Sequence, residues 1–401
     1  MIIRARVVVT MAGAPVEDGA CVIRGNRIIA AGKWPAIRAR HTGPIQDLGE
    51  SVLLPGLINA HCHLDYTCLR GAIPPPESFT AWIRAINARK VELTPEDYLA
   101  SIADGFQEAV QFGTTSLANL EAFPGLLPRL LPPPLRTWWF AEMIDVRGPV
   151  AAAEKVEQLR AAGDFGLAPH APFTASASLY REAAAVAERE NVPLTTHLAE
   201  SREELQMFRD GAGPLFDFMR DIGRPMEDCG GTTPLAFLAK EQVQLSERWI
   251  VAHLNELTAG DFAWLEELGS RFHIVHCPRS HAFFGHGPFA LAQLRALRFN
   301  ICLGTDSLAS NSSLSLFAEM REARRSFPFL DARELLEMVT IHPAAALRVG
   351  KRLGRLAENC FADMIALPFT GRCSEVYEAI VDYAEEVPWI LVNGKVPLGS
   401  S

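Results

Sequence analysis

From Leu53 onward the chain repeats one pattern: a short apolar run, then a polar or helix-patterned segment. The runs span residues 53–60, 114–120, 136–144, 165–168, 193–196, 249–252, 272–275 and 300–304, eight in all. Between them, residues 95–112, 176–190 and 258–268 carry apolar side chains at helical spacing. Strands that alternate with helices make a parallel sheet, because a parallel neighbour needs a long crossover rather than a tight turn. Eight such units over roughly 300 residues suit an α/β fold of the closed (β/α)8 TIM-barrel kind.

The two ends read differently. Residues 1–55 are short strands and turns, with Gly25-Asn26 joining 20–24 to 27–31 as a hairpin. Strand character returns at 363–367 and 386–394. Neither end can hold a core alone. Residues 1–55 and 356–401 are therefore expected to join as one small composite β-sandwich module, with the barrel, 56–355, inserted between them.

Composition narrows the class of function. Hydrophobic residues make up 49% of the 401, enough for a core of that size, which excludes global disorder. A net charge of −9 argues against a nucleic-acid partner, which selects a basic stripe. The eight cysteines are scattered with no CxxC pair, as expected for reduced thiols in a cytoplasmic protein. Residues 1–10 lack the apolar core of a signal peptide, and no run reaches 18 apolar residues, so no membrane partner is expected. What remains is a small-molecule substrate, with room for a homo-oligomer.

Histidine placement carries the chemistry. His61 and His63 close the first run, His197 the fifth and His253 the sixth, and Asp306 follows the eighth. In a TIM barrel the C-terminal ends of the strands form the rim on which active sites are built. Residues i and i+2 of a strand point to one face, so His61 and His63 aim two imidazoles at one place. With His197 and Asp306 they form a set that suits one divalent metal, zinc or a comparable ion such as iron, and leave a position for water. Such an ion brings the pKa of its water to about 7, and the hydroxide attacks an electron-poor carbon. Asp306 can take the water's proton and pass it to the leaving group. Glu200, three residues past His197, can protonate a ring nitrogen; its bland alternative is a charge at a helix N-terminus. His253 can hold the attacking water or the developing oxyanion. A second metal would need a bridging carboxylate or modified lysine, and the fourth run carries no lysine, so a single metal is expected.

These residues resemble the amidohydrolase superfamily along nearly the whole chain. Pro55-Gly56-Leu57-Ile58-Asn59-Ala60-His61-Cys62-His63 is similar to its strand-one signature. His197-Leu198-Ala199-Glu200, His276-Cys277-Pro278-Arg279-Ser280 and Gly304-Thr305-Asp306-Ser307 resemble its deaminase branch. That branch includes adenosylhomocysteine/methylthioadenosine, aminodeoxyfutalosine and guanine deaminases and the triazine hydrolases. The resemblance implies one zinc or iron on His61, His63, His197 and Asp306, with Glu200 and His253 handling protons. It implies hydrolytic deamination of an adenine-type nucleoside or a related amino-heterocycle. The alternatives are cleavage of another bond on such a ring, as in a triazine chlorohydrolase or cyclic amidohydrolase, or a non-catalytic barrel relative. Pro169-His170-Ala171-Pro172-Phe173-Thr174 resembles a nucleoside-deaminase strand four, whose histidine faces substrate. Residues 305–311 resemble aminodeoxyfutalosine deaminases. Ser280-His281 departs from the Ser-Asn often found there, and the segment after His63 lacks the ribose-binding acid of the homocysteine-type enzymes.

Of the remaining candidates, Phe79, Trp82, Ile83 and Ile86 fall on one helical face in the long connection 64–93, which predicts packing against the barrel and, for Trp82, a wall of the substrate pocket. Ser280 and His281 are expected beside substrate with His170. His276 and His342 are expected to be structural, His41 solvated, and Arg70 either a surface ion pair or an anion contact. HExxH, GxSxG, P-loop, GxGxxG and Pro-Cys-x-x-Cys signatures are all absent.

Overall fold

A computed structural model describes residues 1–269 and 271–397. The last four residues of the expected C-terminal segment, 398–401, lie outside it. Two sheets organise the chain. The terminal sheet is built from β1 (Ile2–Val8), β2 (Val16–Arg24), β3 (Arg27–Lys33), β4 (Ile45–Asp47), β5 (Ser51–Pro55), β15 (Met364–Pro368) and β16 (Trp389–Leu391). The parallel sheet comprises β6 (Leu57–His63), β7 (Thr114–Glu121), β8 (Arg136–Met143), β9 (Phe165–Pro169), β10 (Leu194–Leu198), β11 (Trp249–His253), β12 (His273–His276), β13 (Asn300–Leu303) and β14 (Asp306–Ser307).

The first apolar run, expected as one strand, serves both sheets. Ser51–Pro55 pairs antiparallel with β15, and Leu57–His63 pairs parallel with β7. The break falls at Pro55-Gly56, where proline offers no N–H to a ladder. Gly56 crosses so close to Thr115 that a Cβ would lie 2.1 Å from the Thr115 methyl carbon.

The eighth run is also interrupted. β13 pairs with β12; then Gly304 N–H donates to His276 O and Thr305 N–H to His61 O, and β14 pairs with β6. The parallel sheet is thus curled, so that β13 and β14, the two ends of its strand order, are separated along the chain only by Gly304 and Thr305. Gly304 permits the step, since a Cβ there would meet His61 O at 2.8 Å.

Strand parity sorts the core. Leu57, Leu117, Trp139, Val251 and Ile274 belong to the large cluster shared with the surrounding helices. Their neighbours Ile58, Ala118, Phe140, Ile250 and Val275 form a second cluster on the concave face, closed below by the helix Ile341–Ala346 and by Leu347 and Leu353. Between Asn59 and Cys62 the register of β6 against β7 shifts. Such an irregularity changes which parity faces inward. Ile58 and Ala60 face inward lower in the sheet, and His61 and His63 face inward at its upper end.

The expected hairpin at Gly25-Asn26 is present. The expected β-sandwich is instead one mixed seven-stranded sheet, in the order β16-β15-β5-β1-β2-β3 with β4 beside β1. One reason is that its faces are already covered: the helix Trp34–Arg40 packs on Ile2 and Val22, while Val52, Leu54 and Ile365 join the large helical core. The C-terminal segment also contributes the helix Val376–Asp382, tied to the helix Leu316–Ser326 by Arg324–Glu378 at 3.1 Å. No helix among the described residues is long and apolar enough to cross a membrane.

Candidate active site

Local sequence explains why polar groups gather at the upper end of the curled sheet. His61 and His63 end β6, His197 lies near the end of β10, His253 ends β11 and Asp306 begins β14. His253 has φ +72° and Asp306 φ +56°, and Ala199, beside Glu200, has φ +49°. Non-glycine residues in this left-handed region are strained and concentrate at functional sites.

The side chains converge. His63 Nε2 lies 3.3 Å from His197 Nε2. Asp306 Oδ1 lies 3.7 Å from His61 Nε2 and 3.8 Å from His63 Nε2. Ligand atoms of His61, His63 and His197 lie within 4.8 Å of one another, as do those of His61, His253 and Asp306. Both ring nitrogens of His61 and Nε2 of His253 are buried without a hydrogen-bond partner. Buried orphan nitrogens are costly unless something else satisfies them. A tetrahedral ion at ordinary metal–nitrogen distances separates two ligand nitrogens by about 3.3 Å. The donor set therefore fits a divalent cation.

Neighbouring groups orient this set. His197 Nδ1 donates to His170 O at 3.0 Å, which leaves its Nε2 lone pair facing His63. Asp306 Oδ2 accepts from Ser280 Oγ at 2.6 Å and from Ser310 Oγ at 3.1 Å, and Oδ1 accepts from Ser307 N at 2.8 Å. Burial alone would raise the Asp306 pKa; the facing His61, with His253 and His63, outweighs it and holds the carboxyl well below the usual range. Burial pushes His197 down to about 3 and His63 well below the ordinary imidazole value, so both rings are neutral, as metal ligation needs.

Glu200 Oε1 lies 3.6 Å from His253 Nε2. Its backbone is pinned by Glu204 Oε2, which accepts from Glu200 N at 2.7 Å, and by Asn255 Nδ2, which donates to Glu200 O at 2.9 Å. Burial, then Asp306 and Glu204, pushes the Glu200 carboxyl well above its usual range. It heads no helix: the next helix is Arg202–Asp210, capped by Ser201.

A cavity of about 860 Å³ opens over this cluster, lined by His63, His197, Glu200 and Asp306 and also by His170 and Trp82. Trp82 both packs against its neighbours and lines the cavity. It lies on the helix Phe79–Lys90, stacks on Phe79, donates its indole N–H to Ala309 O at 3.3 Å, and faces the cavity. Ser280 and His281, expected beside substrate, do not line this cavity. Ser280 sits on the helix Pro278–Phe284 and spends its hydroxyl on Asp306, and His281 Nδ1 lies 3.2 Å from Asn255 Oδ1. His276 stacks on Phe289 at 4.1 Å, His342 Nδ1 donates to Ile301 O at 2.9 Å, and Arg70 pairs with Glu108, so all three are structural. His41 is half-buried.

Three features went unread in the sequence. The helix Pro214–Asp221 brings Phe218 and Met219 to the cavity wall, although nothing local marks it as a cover. Ser310 reaches Asp306 from four residues away. Glu142 lines the cavity from β8; its only signal was an acid inside an otherwise apolar run.

Comparison with known proteins gives a consistent picture. The profile described as "Amidohydrolase family" matches residues 52–396. An aminodeoxyfutalosine deaminase of Deinococcus radiodurans is 29% identical over 368 residues, which span 86% of this chain and 84% of that protein. The structure of Helicobacter pylori aminofutalosine deaminase in complex with methylthio-coformycin superposes with a TM-score of 0.85 at 21% identity, covering 98% of this chain and 99% of that one. An adenosine deaminase from Xanthomonas campestris with bound zinc gives 0.81 at 24% identity, covering 98% and 92%.

Proposed function

The chain belongs to the amidohydrolase family and is an enzyme that hydrolyses C–N bonds, and from that premise we propose that it is a metal-dependent hydrolytic deaminase of an adenine-type nucleoside. The observation that carries the reading is the meeting of His61, whose ring nitrogens are unpartnered, with His63, His197 and Asp306, which line one cavity together with Glu200. We read the curled sheet as the closed (β/α)8 barrel, 56–355, and the chain ends, 1–55 and 356–401, as one accessory module.

A divalent metal on those four residues, zinc before iron, supplies Lewis acidity and lowers the pKa of a water toward neutrality. Glu200, kept protonated by its buried setting, donates to the ring nitrogen next to the carbon under attack, which makes that carbon electron-poor. His253 Nε2, which no protein group engages, hydrogen-bonds the incoming oxygen and holds it on one face of the ring. Asp306 accepts the proton that the water loses. That proton then goes to the exocyclic nitrogen, which leaves as ammonia; as the C–N bond breaks, the added oxygen gives up its remaining proton, which restores Glu200 to its acid form, and the ring keeps the oxygen as a carbonyl.

Ammonia release from adenosine, methylthioadenosine, adenosylhomocysteine and aminodeoxyfutalosine, set against chloride release from a chlorotriazine, tests the reading. Ammonia from at least one nucleoside is expected. Chloride release with no ammonia from any amino-heterocycle would replace deamination with dehalogenation.

A further inference from the structure

Glu142 is the penultimate residue of β8, and its side chain is only 9% exposed. Among the described residues none donates a hydrogen bond to it. His170 Nε2 lies 3.7 Å from its Oε1, beyond hydrogen-bond reach. His170 Nδ1 lies 2.6 Å from Thr174 Oγ1, so the ring is held in place, and Glu142 and His170 Nε2 face each other across 3.7 Å with both residues bordering the cavity.

A carboxylate that faces the cavity with no protein donor is left for water or for the donors of a ligand. The same cavity is lined by Arg84, Lys90 and Arg147, which would repel a cationic group. A neutral ligand with two adjacent donors meets no such penalty, and a carboxylate can receive both at once. The position suits this as well. The His170 ring centroid is 4.7 Å from that of His197 near the end of β10, and Glu142 stands on β8, beyond β9 in the strand order. A ring reacting at the His61/His63/His197/Asp306 cluster would place its substituent, not its reacting carbon, at Glu142.

We propose that Glu142, with His170 Nε2 beside it, receives the vicinal hydroxyls of the substrate's sugar and so selects ribonucleosides over deoxy analogues. The inference rests on the nucleoside reading above, and its failure is separable from a failure of that reading.

The experiment compares the adenine nucleoside that the wild type deaminates fastest with its 2′,3′-dideoxy counterpart, for wild type, Glu142→Gln and Glu142→Ala. For the wild type, removing both hydroxyls should cost on the order of 100-fold in kcat/KM, mainly through KM. Glu142→Ala should lose a similar factor on the ribonucleoside and little more on the dideoxy substrate, so the two losses do not add. Glu142→Gln, which keeps the shape and one acceptor, should fall between and guards against a folding defect in the alanine variant. Additive losses, or a fall in kcat that is equal for both substrates, overturn the proposal. Equal wild-type rates on the two nucleosides also overturn it and leave deamination intact. Release of ammonia from no nucleoside defeats the function itself.

Discussion

The two ends of the curled sheet use histidine in opposite ways. At the lower end, His273 Nδ1 accepts from Asn300 Nδ2 at 2.8 Å, the same amide donates to His342 O at 3.0 Å, and His342 Nδ1 donates to Ile301 O. Each named group is satisfied within the protein, and the helix Ile341–Ala346 seals an apolar floor. At the upper end, His61 has no protein partner for either nitrogen and His253 none for Nε2, and the backbone at His253 and Asp306 is strained. Orphaned polar groups reduce stability, so the unpartnered imidazole nitrogens of His61 and His253 mark where binding supplies what folding does not. The lower end holds the fold together, and the upper end is kept ready for ligands.

Four tests break or sharpen that contrast. The largest effect is expected for Asp306→Asn, which removes the proton acceptor and weakens the metal set. Turnover should fall by about 10⁴-fold, and steady-state ammonia release near the wild-type rate would falsify the role given to Asp306. Next is removal of the metal. Dialysis against a chelator should abolish turnover and lower the melting temperature, and added zinc should restore both, because an ion that binds only the folded state stabilises it. An unchanged melting curve and rate, with no metal by elemental analysis, would count against the ligand set.

Glu200→Gln should cost about 10²-fold to 10³-fold in kcat. Its pH profile should change too. A carboxyl raised above its ordinary range keeps its proton to higher pH and gives it up as pH rises further, so the wild type should lose activity on the alkaline side. The glutamine variant should lack that limb, and an alkaline limb identical in both would assign it elsewhere. The smallest effect belongs to the other end. His342→Ala should leave kcat within about twofold and lower stability by about 1 kcal/mol, the worth of its hydrogen bond to Ile301 O, as read from a denaturant titration. A kinetic defect there larger than its stability defect would erase the difference between the two ends.

Much of this was legible without coordinates. Each of the eight runs supplies a strand of the parallel sheet, the first only after its break at Pro55-Gly56, because local apolar patterning is what a parallel strand requires. Helix limits followed their capping residues: Thr94 with Asp97, Ser176, and Thr258 with Asp261. The histidines and Asp306 could be grouped because strand ends in such a sheet share one rim. Sequence order places Ser280 near the rim but gives no direction for its hydroxyl, which turns back to Asp306. The terminal sandwich was expected from strand content alone, which says nothing about what covers each face.

The amino-acid order by itself determined the alternation of strands and helices, the residue types at the strand ends and the donor chemistry that suits a divalent cation, since each depends on near neighbours and side-chain identity. Only tertiary structure decided the register shift that turns His61 and His63 inward, the step at Gly304 that brings Asp306 beside β6, the cover that Phe218 and Met219 place on the cavity, and the isolation of Glu142. These depend on which distant segments meet, and a contact between residues far apart in the chain is selected by the packing of the whole rather than by any local pattern.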